Sequence, residues 1–192
     1  ICENEVLTLN CFGLHGDSEV PGVNGTLTNH SDFYIESDDA GGYYCTGHKT
    51  YTSSSGVLVS NSDGFVYKFD KDCGTCWELT FRGMNDDLND QGLVLKHFDG
   101  GFYLGGIFAS GSLVVPNGGG GTYVISNPSP GQIATFLIKF QDGVGCNSSI
   151  LPTVDWGFAL GNDKYRTLLS DMDTDNAGNI IITGIYTGSM NF

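Results

Sequence analysis

The segment Asp171-Met172-Asp173-Thr174-Asp175-Asn176-Ala177-Gly178-Asn179 sets carboxylates at alternate positions. That spacing places hard oxygen ligands on one side of a loop, as Ca²⁺ requires. The segment lacks the spaced bidentate Glu of an EF-hand loop, and Asp, Asn and Gly are also ordinary hairpin-turn residues. Calcium held by Asp171, Asp173 and Asp175 is the one cofactor expectation. The other acidic cluster, Asn85-Asp86-Asp87-Leu88-Asn89-Asp90, does not alternate and is expected to face solvent.

Cys73-Gly74-Thr75-Cys76 has the spacing of a redox motif. Thioredoxin-like chemistry needs the first Cys at a helix N-terminus, where the dipole lowers its pKa. Here the motif falls between two strand-like runs, so a disulfide closing the turn, Cys73 to Cys76, is expected. Zinc would need a second pair at the right spacing, and there is none. Cys146 falls in the corresponding turn of a later repeat; it, Cys2, Cys11 and Cys45 are left with their pairing open.

The four histidines form neither H-x-H nor H-E-x-x-H. G-x-S-x-G is absent, and the tetraglycine run lacks the Gly-Lys-Ser/Thr of a phosphate loop. Asp155 beside Trp156 places a carboxylate next to a stacking surface, as sugar chemistry would, but the repeat described below accounts for Trp156 as a core residue. No catalytic residue is assigned.

Three sequons begin at Asn24, Asn29 and Asn147, all in Gly/Ser/Asn-rich stretches that read as loops. Together with the even count of six cysteines they point to an oxidising setting, hence to a secreted, extracellular or cell-surface glycoprotein. Eight basic residues against 22 acidic ones give a net charge of -14, which repels nucleic acid. The longest apolar runs are too short to span a bilayer.

The elements that must position these residues repeat. Asp38-Asp39-Ala40-Gly41-Gly42-Tyr43-Tyr44-Cys45-Thr46-Gly47 recurs as Phe98-Asp99-Gly100-Gly101-Phe102-Tyr103-Leu104-Gly105-Gly106 and as Asp175-Asn176-Ala177-Gly178-Asn179-Ile180-Ile181-Ile182-Thr183-Gly184. Each copy is an acidic or Gly turn, an aromatic or β-branched run, and a closing Gly, the mark of an array of like units. Phe65-Val66-Tyr67-Lys68-Phe69 matches Phe136-Leu137-Ile138-Lys139-Phe140, and a strand opening on Trp77 or Trp156 follows each. One interval separates both Gly83 from Gly106 and Gly161 from Gly184. With 29 glycines in 192 residues and no long 3.6-residue periodicity, the class is all-β.

Each unit then has four antiparallel strands: Lys-Phe, Trp, an apolar third strand, and the strand ending in Gly. The approximate units are 5–63, 64–134 and 135–192, a single β-repeat domain with its first strand on Val6-Leu7-Thr8-Leu9-Asn10. The Gly/Pro-rich stretch between Pro116 and Gly131 is expected to be a long surface loop.

This order of turn, strand and Gly resembles the bacterial-type β-propeller repeat often called SBBP. The resemblance runs from about residue 32 onward and is best in 64–113 and 135–192. It implies a β-propeller-like array, with scaffold or binding roles and no defined catalytic residues. The cysteines, the sequons and the missing first Trp depart from the pattern.

Closed propellers have four to eight blades, and three leave open flanks. Unpaired strand edges invite another chain. The expected role is therefore a non-enzymatic, self-assembling subunit of a surface layer or fibre, a homo-oligomer or filament, with Glu5-Val6-Leu7-Thr8-Leu9 as the strand to be donated. The alternative is an extracellular carbohydrate- or protein-binding module.

Overall fold

The computed structural model describes residues 26–52, 58–72, 74–84, 90–98, 100–128, 131–142, 146, 150–161, 167–175 and 177–187. Regular structure among them is entirely β: β1 (Thr26–Ser37), β2 (Tyr43–Thr52), β3 (Leu58–Phe69), β4 (Thr75–Gly83), β5 (Asp90–Phe98), β6 (Gly101–Phe108), β7 (Ser112–Asn117), β8 (Gly121–Ser126), β9 (Ala134–Gln141), β10 (Thr153–Leu160), β11 (Thr167–Thr174) and β12 (Ile180–Tyr186). No helix among the described residues is long and apolar enough to cross a membrane.

The strands form antiparallel sheets. The first runs β1-β2-β3-β4 and is lengthened by β7-β8; the second runs β5-β6-β9-β10; the third is the hairpin β11-β12. Among the described residues they close into neither a barrel nor a ring. Each sheet opens on the strand before a repeated turn and continues through the strand ending in Gly. In the two longer sheets, the Lys-Phe and Trp strands follow.

That grouping corrects the expected units. Boundaries at 64 and 135 fall inside β3 and β9, because the strand ending in Gly pairs directly with the Lys-Phe strand that follows it. A cyclic repeat fixes the order of strands but not where one sheet stops. The break falls between the Trp strand and the next apolar strand. The expected first strand, residues 6–10, lies outside the described residues.

The register repeats too. On β2, Tyr43 opposes Phe69, Tyr44 opposes Lys68 and Gly47 opposes Phe65. On β6, Phe102 opposes Phe140, Tyr103 opposes Lys139 and Gly106 opposes Phe136. Side chains alternate across each sheet, so the two faces of sheet 2 serve different layers. Phe102, Leu104, Phe136, Ile138 and Phe140 meet Tyr44, Val66, Trp77, Leu79 and Phe81 of sheet 1. Val94, Tyr103 and Leu137 meet Leu169 and Met172 of the third sheet. The other face of sheet 1 buries Cys45, Phe65, Tyr67 and Phe69. Each fully buried Phe contributes about 1.5–3 kcal/mol by leaving water.

Two glycines allow the layers to approach. A Cβ on Gly92 of β5 would strike the Thr46 side chain of sheet 1, and one on Gly105 of β6 would strike Leu169 of the third sheet. The leading strands lie side by side, β1 against β5 and β5 against β11. Lys96 on β5 ties them, 3.2 Å from Glu36 and 3.2 Å from Asp173.

The segment expected as a surface loop is instead the hairpin β7-β8, another correction. Gly119 and Gly120 take φ of 87° and 91° at its tip, a conformation in which L side chains are strained. The flanking residues alternate, so Leu113, Val115 and Ile125 face the core. The hairpin pairs with β4 at Arg82–Val114 and reaches β10, where Val154 N donates to Asn117 Oδ1 at 2.7 Å.

Candidate functional site

Stacking the sheets aligns their turns, and a cleft opens between the turn ends of the first two. On sheet 1 its wall is built by two carboxylates that cap their own turns. Asp38 Oδ1 accepts from Ala40 N at 2.9 Å and Gly42 N at 2.6 Å. Asp70 Oδ1 accepts from Asp72 N at 2.9 Å and Gly74 N at 2.7 Å. Such side-chain bonds to the backbone are why Asp opens these turns.

Lys68 is buried beside Asp38, forms an ion pair with it, and carries its ammonium 3.7 Å from the centre of the Tyr44 ring. His97 of sheet 2 stacks on the same ring, centroids 5.9 Å apart. The Tyr44 hydroxyl donates to Asp142 Oδ2 at 2.7 Å, across the layers. The cleft so bounded has a volume of about 350 Å³ and ends at Cys146.

Charge and burial compete here. Burial pushes the Asp38 carboxyl up, but the Lys68 ammonium and the backbone N–H groups of Gly42 and Ala40 outweigh it, leaving the pKa below the ordinary value. Burial, then the bond to Asp142, raises the Tyr44 phenol, so it stays protonated and acts as a donor. Asp142 Oδ1 is buried and, among the described residues, has no hydrogen-bond partner. Chemically, the cleft presents the charged side chains of Asp38, Asp70, Asp142, Lys68 and Lys71 to a small polar group.

The expected Cys73–Cys76 turn disulfide is corrected: Cys76 is bonded to Cys146, with Cα atoms 4.4 Å apart across 70 residues of sequence. Cys76 lies at the start of β4, one residue before Trp77, and Cys146 lies between β9 and β10, so the bond joins the turn ends of the first two sheets. Cys73, Cys2 and Cys11 lie outside the described residues. Cys45 is a buried free thiol whose pKa burial pushes up to about 12.

The three aspartates of the calcium expectation are engaged separately. Asp171 Oδ1 accepts from Met172 N at 2.8 Å, Asp173 pairs with Lys96, and Asp175 Oδ1 caps its turn through Ala177 N and Asn179 N, both 2.8 Å. Among the described residues no group of three or more His, Cys, Asp or Glu side chains gathers to hold a metal. Asp155 pairs with Lys139 at 2.9 Å, and Trp156 stacks on Phe158, centroids 5.6 Å apart.

Asn29 lies within β1, opposite Thr50, and not in a loop as expected. Asn24, Asn147 and the candidate donor strand Glu5–Leu9 lie outside the described residues. Sequence reasoning also missed Lys49, which is buried, paired with Glu78 and 4.8 Å from the centre of the Tyr67 ring. Burial lowers its pKa, partly countered by Glu78. Its polar character gave no sign that it would be buried in a strand.

Comparison with protein-family models and with curated proteins finds no match to this chain. Its functional reading therefore rests on its own residues.

Proposed function

We propose that this chain is a non-enzymatic extracellular structural protein, a self-associating subunit of a surface layer or fibre built from propeller-type blades. One observation carries the reading. On the β11-β12 hairpin, whose strands pair only with each other among the described residues, Ile181 (53%) and Ile185 (64%) are exposed. An open strand edge beside exposed β-branched residues favours pairing with another chain. The long-range disulfide and the sequons suit an oxidising, extracellular setting.

Sedimentation of the purified chain over a wide concentration range, with electron microscopy of the heaviest fraction, tests the reading. Concentration-dependent growth into rods or sheets is expected. A compact monomer at every concentration would overturn it.

The cleft lined by the carboxylates of Asp38, Asp70 and Asp142 favours a second reading, a module that binds hydroxyl-bearing ligands such as carbohydrate. Glycan-array binding that is lost in Asp142→Ala while the fold is retained would support it. An array without binding would remove it.

A further inference from the structure

We propose that two copies of the chain associate through β8, edge to edge and antiparallel about a two-fold axis at Val124. The proposal rests on the self-association reading above and gives it a place in the fold. The two longer sheets have four outer strands: β1 and β8 of the first, β5 and β10 of the second. Three of them are blunted as sheet edges usually are. β1 carries Asp32 and Glu36, β5 carries Asp90 and Lys96, and β10 carries Asp155. Each also breaks register against its partner strand, at Ser31/Tyr34, Gly92/Val94 and Val154/Trp156. β8, Gly121-Thr122-Tyr123-Val124-Ile125-Ser126, has no charge, no Pro and an unbroken ladder with β7.

Alternation along the strand shows which backbone groups face outward. Asn127 N donates to Gly111 O across the hairpin at 3.0 Å. Backbone groups of successive residues point to opposite sides of a strand, so those of Ser126, Val124 and Thr122 point away from β7. Among the described residues no strand lies beyond them. The same three side chains are exposed, while Ile125 is buried. The Tyr123 hydroxyl exchanges hydrogen bonds with the N–H and C=O of Gly157 on β10, both 3.1 Å. The core beneath thus holds β8 in place while its outer side stays open.

Charge selects a second copy as the occupant. A two-fold contact sets each central residue beside its own copy, so a charged patch repels itself there. The chain carries -14, yet from Gly100 to Ile138 it has no Asp, Glu, Lys, Arg or His. The β7-β8 hairpin lies wholly within that neutral stretch. Arg82 of β4 is in line with Val114 and Val124, two strands back from the edge. At strand spacing the two copies of Arg82 would stand about 24 Å apart. That is well beyond the screening length of about 8 Å at physiological salt. With Val124 on the axis, Thr122 faces the partner's Ser126, and main-chain hydrogen bonds supply the affinity. Val114 and Val124 meet their copies as one row of β-branched cross-strand neighbours.

Sedimentation equilibrium of the full chain, of Val124→Lys, of Val124→Glu and of their equimolar mixture tests this. Val124 is 46% exposed, so either replacement leaves the core intact. Each variant alone should associate about tenfold more weakly, or worse, because like charges meet at the axis. The mixture should regain association, since Lys then faces Glu. Hydrogen exchange on the unsubstituted chain needs no variant: the amides of Thr122, Val124 and Ser126 should slow at concentrations where it associates. Three results would overturn the β8 contact while self-association stands. They are variants that associate as the parent does, a mixture as weak as each alone, or amides that exchange alike at every concentration. A full chain that stays monomeric overturns both.

Discussion

The hydroxyl of Tyr44, on the first sheet, donates to Asp142 Oδ2, at the end of the second, at 2.7 Å. This bond joins two layers at the end where their turns meet. Among the described residues Oδ1 of the same carboxylate has no partner, and Tyr44 supplies the side-chain hydrogen bond to this half-buried group. Removing the hydroxyl while keeping the ring isolates that bond. Tyr44→Phe should destabilise the fold by about 1 kcal/mol, the cost of losing this half-buried hydrogen bond. Urea unfolding should show a lower midpoint with an unchanged slope.

The Asp38 carboxyl has a folded pKa below its unfolded value, so its contribution to stability is complete above about pH 4. It is lost as pH falls through the depressed folded value. Asp38→Asn should remove that acid dependence and leave the Lys68 ammonium buried without its partner, costing about 3 kcal/mol near neutral pH. Thermal melts of both proteins across the acid range check the sign: the two curves should converge as pH falls.

How far these features could be read from sequence depended on how local they are. The turn at Asp175 was legible because its whole logic lies within a few residues, and so was the strand order, carried by Gly184, Lys139 and Trp156. The phase of the sheets was not. Whether β2 joins β3 or stands apart is settled by pairing between Tyr43 and Phe69, and no residue in either run announces it. The hairpin β7-β8 was hidden because its Gly and Pro content outweighed the alternation of Leu113 and Val115. The cleft required two separate turns to meet across layers, so Tyr44 and Asp142 carried no mark of each other. Cys76 and Cys146 are likewise joined across layers, and the nearness of Cys73 in sequence pointed to the wrong partner.

The Cys76–Cys146 disulfide closes a loop spanning 70 residues. Cross-linking so long a segment restricts the unfolded chain, an effect of about 4 kcal/mol in the chain-entropy model. Paired Cys76→Ser and Cys146→Ser substitutions should lower stability on that scale. Peptide mapping without reduction should recover a fragment joining the two cysteines. Recovery of Cys73 joined to Cys76 instead would contradict the structure.

Asp175 distinguishes turn chemistry from metal binding. Its carboxylate accepts backbone hydrogen bonds from Ala177 and Asn179 and a side-chain bond from Asn179. Asp175→Ala should cost about 1 kcal/mol, as loss of a comparable cap does, and Asp175→Asn should cost less because an acceptor remains. The same losses are expected with calcium or with chelator. A melting temperature raised by calcium in the parent and not in Asp173→Ala would instead establish the metal.

Leu79 and Phe158 hold equivalent places, yet among the described residues only Leu79 is covered by a following layer. In the monomer Leu79→Ala should cost about 2–5 kcal/mol, because the cavity it leaves is closed on all sides. Phe158→Ala, at a surface where solvent fills the gap, should cost less than about 1 kcal/mol. The comparison becomes informative when repeated at concentrations where the chain assembles. If a strand from another copy covers Phe158, its truncation should then lower the melting temperature of the assembled material, while Leu79→Ala should destabilise monomer and assembly alike. Equal, small effects of Phe158→Ala in both states would mean that this face stays open in the assembly and that copies meet elsewhere.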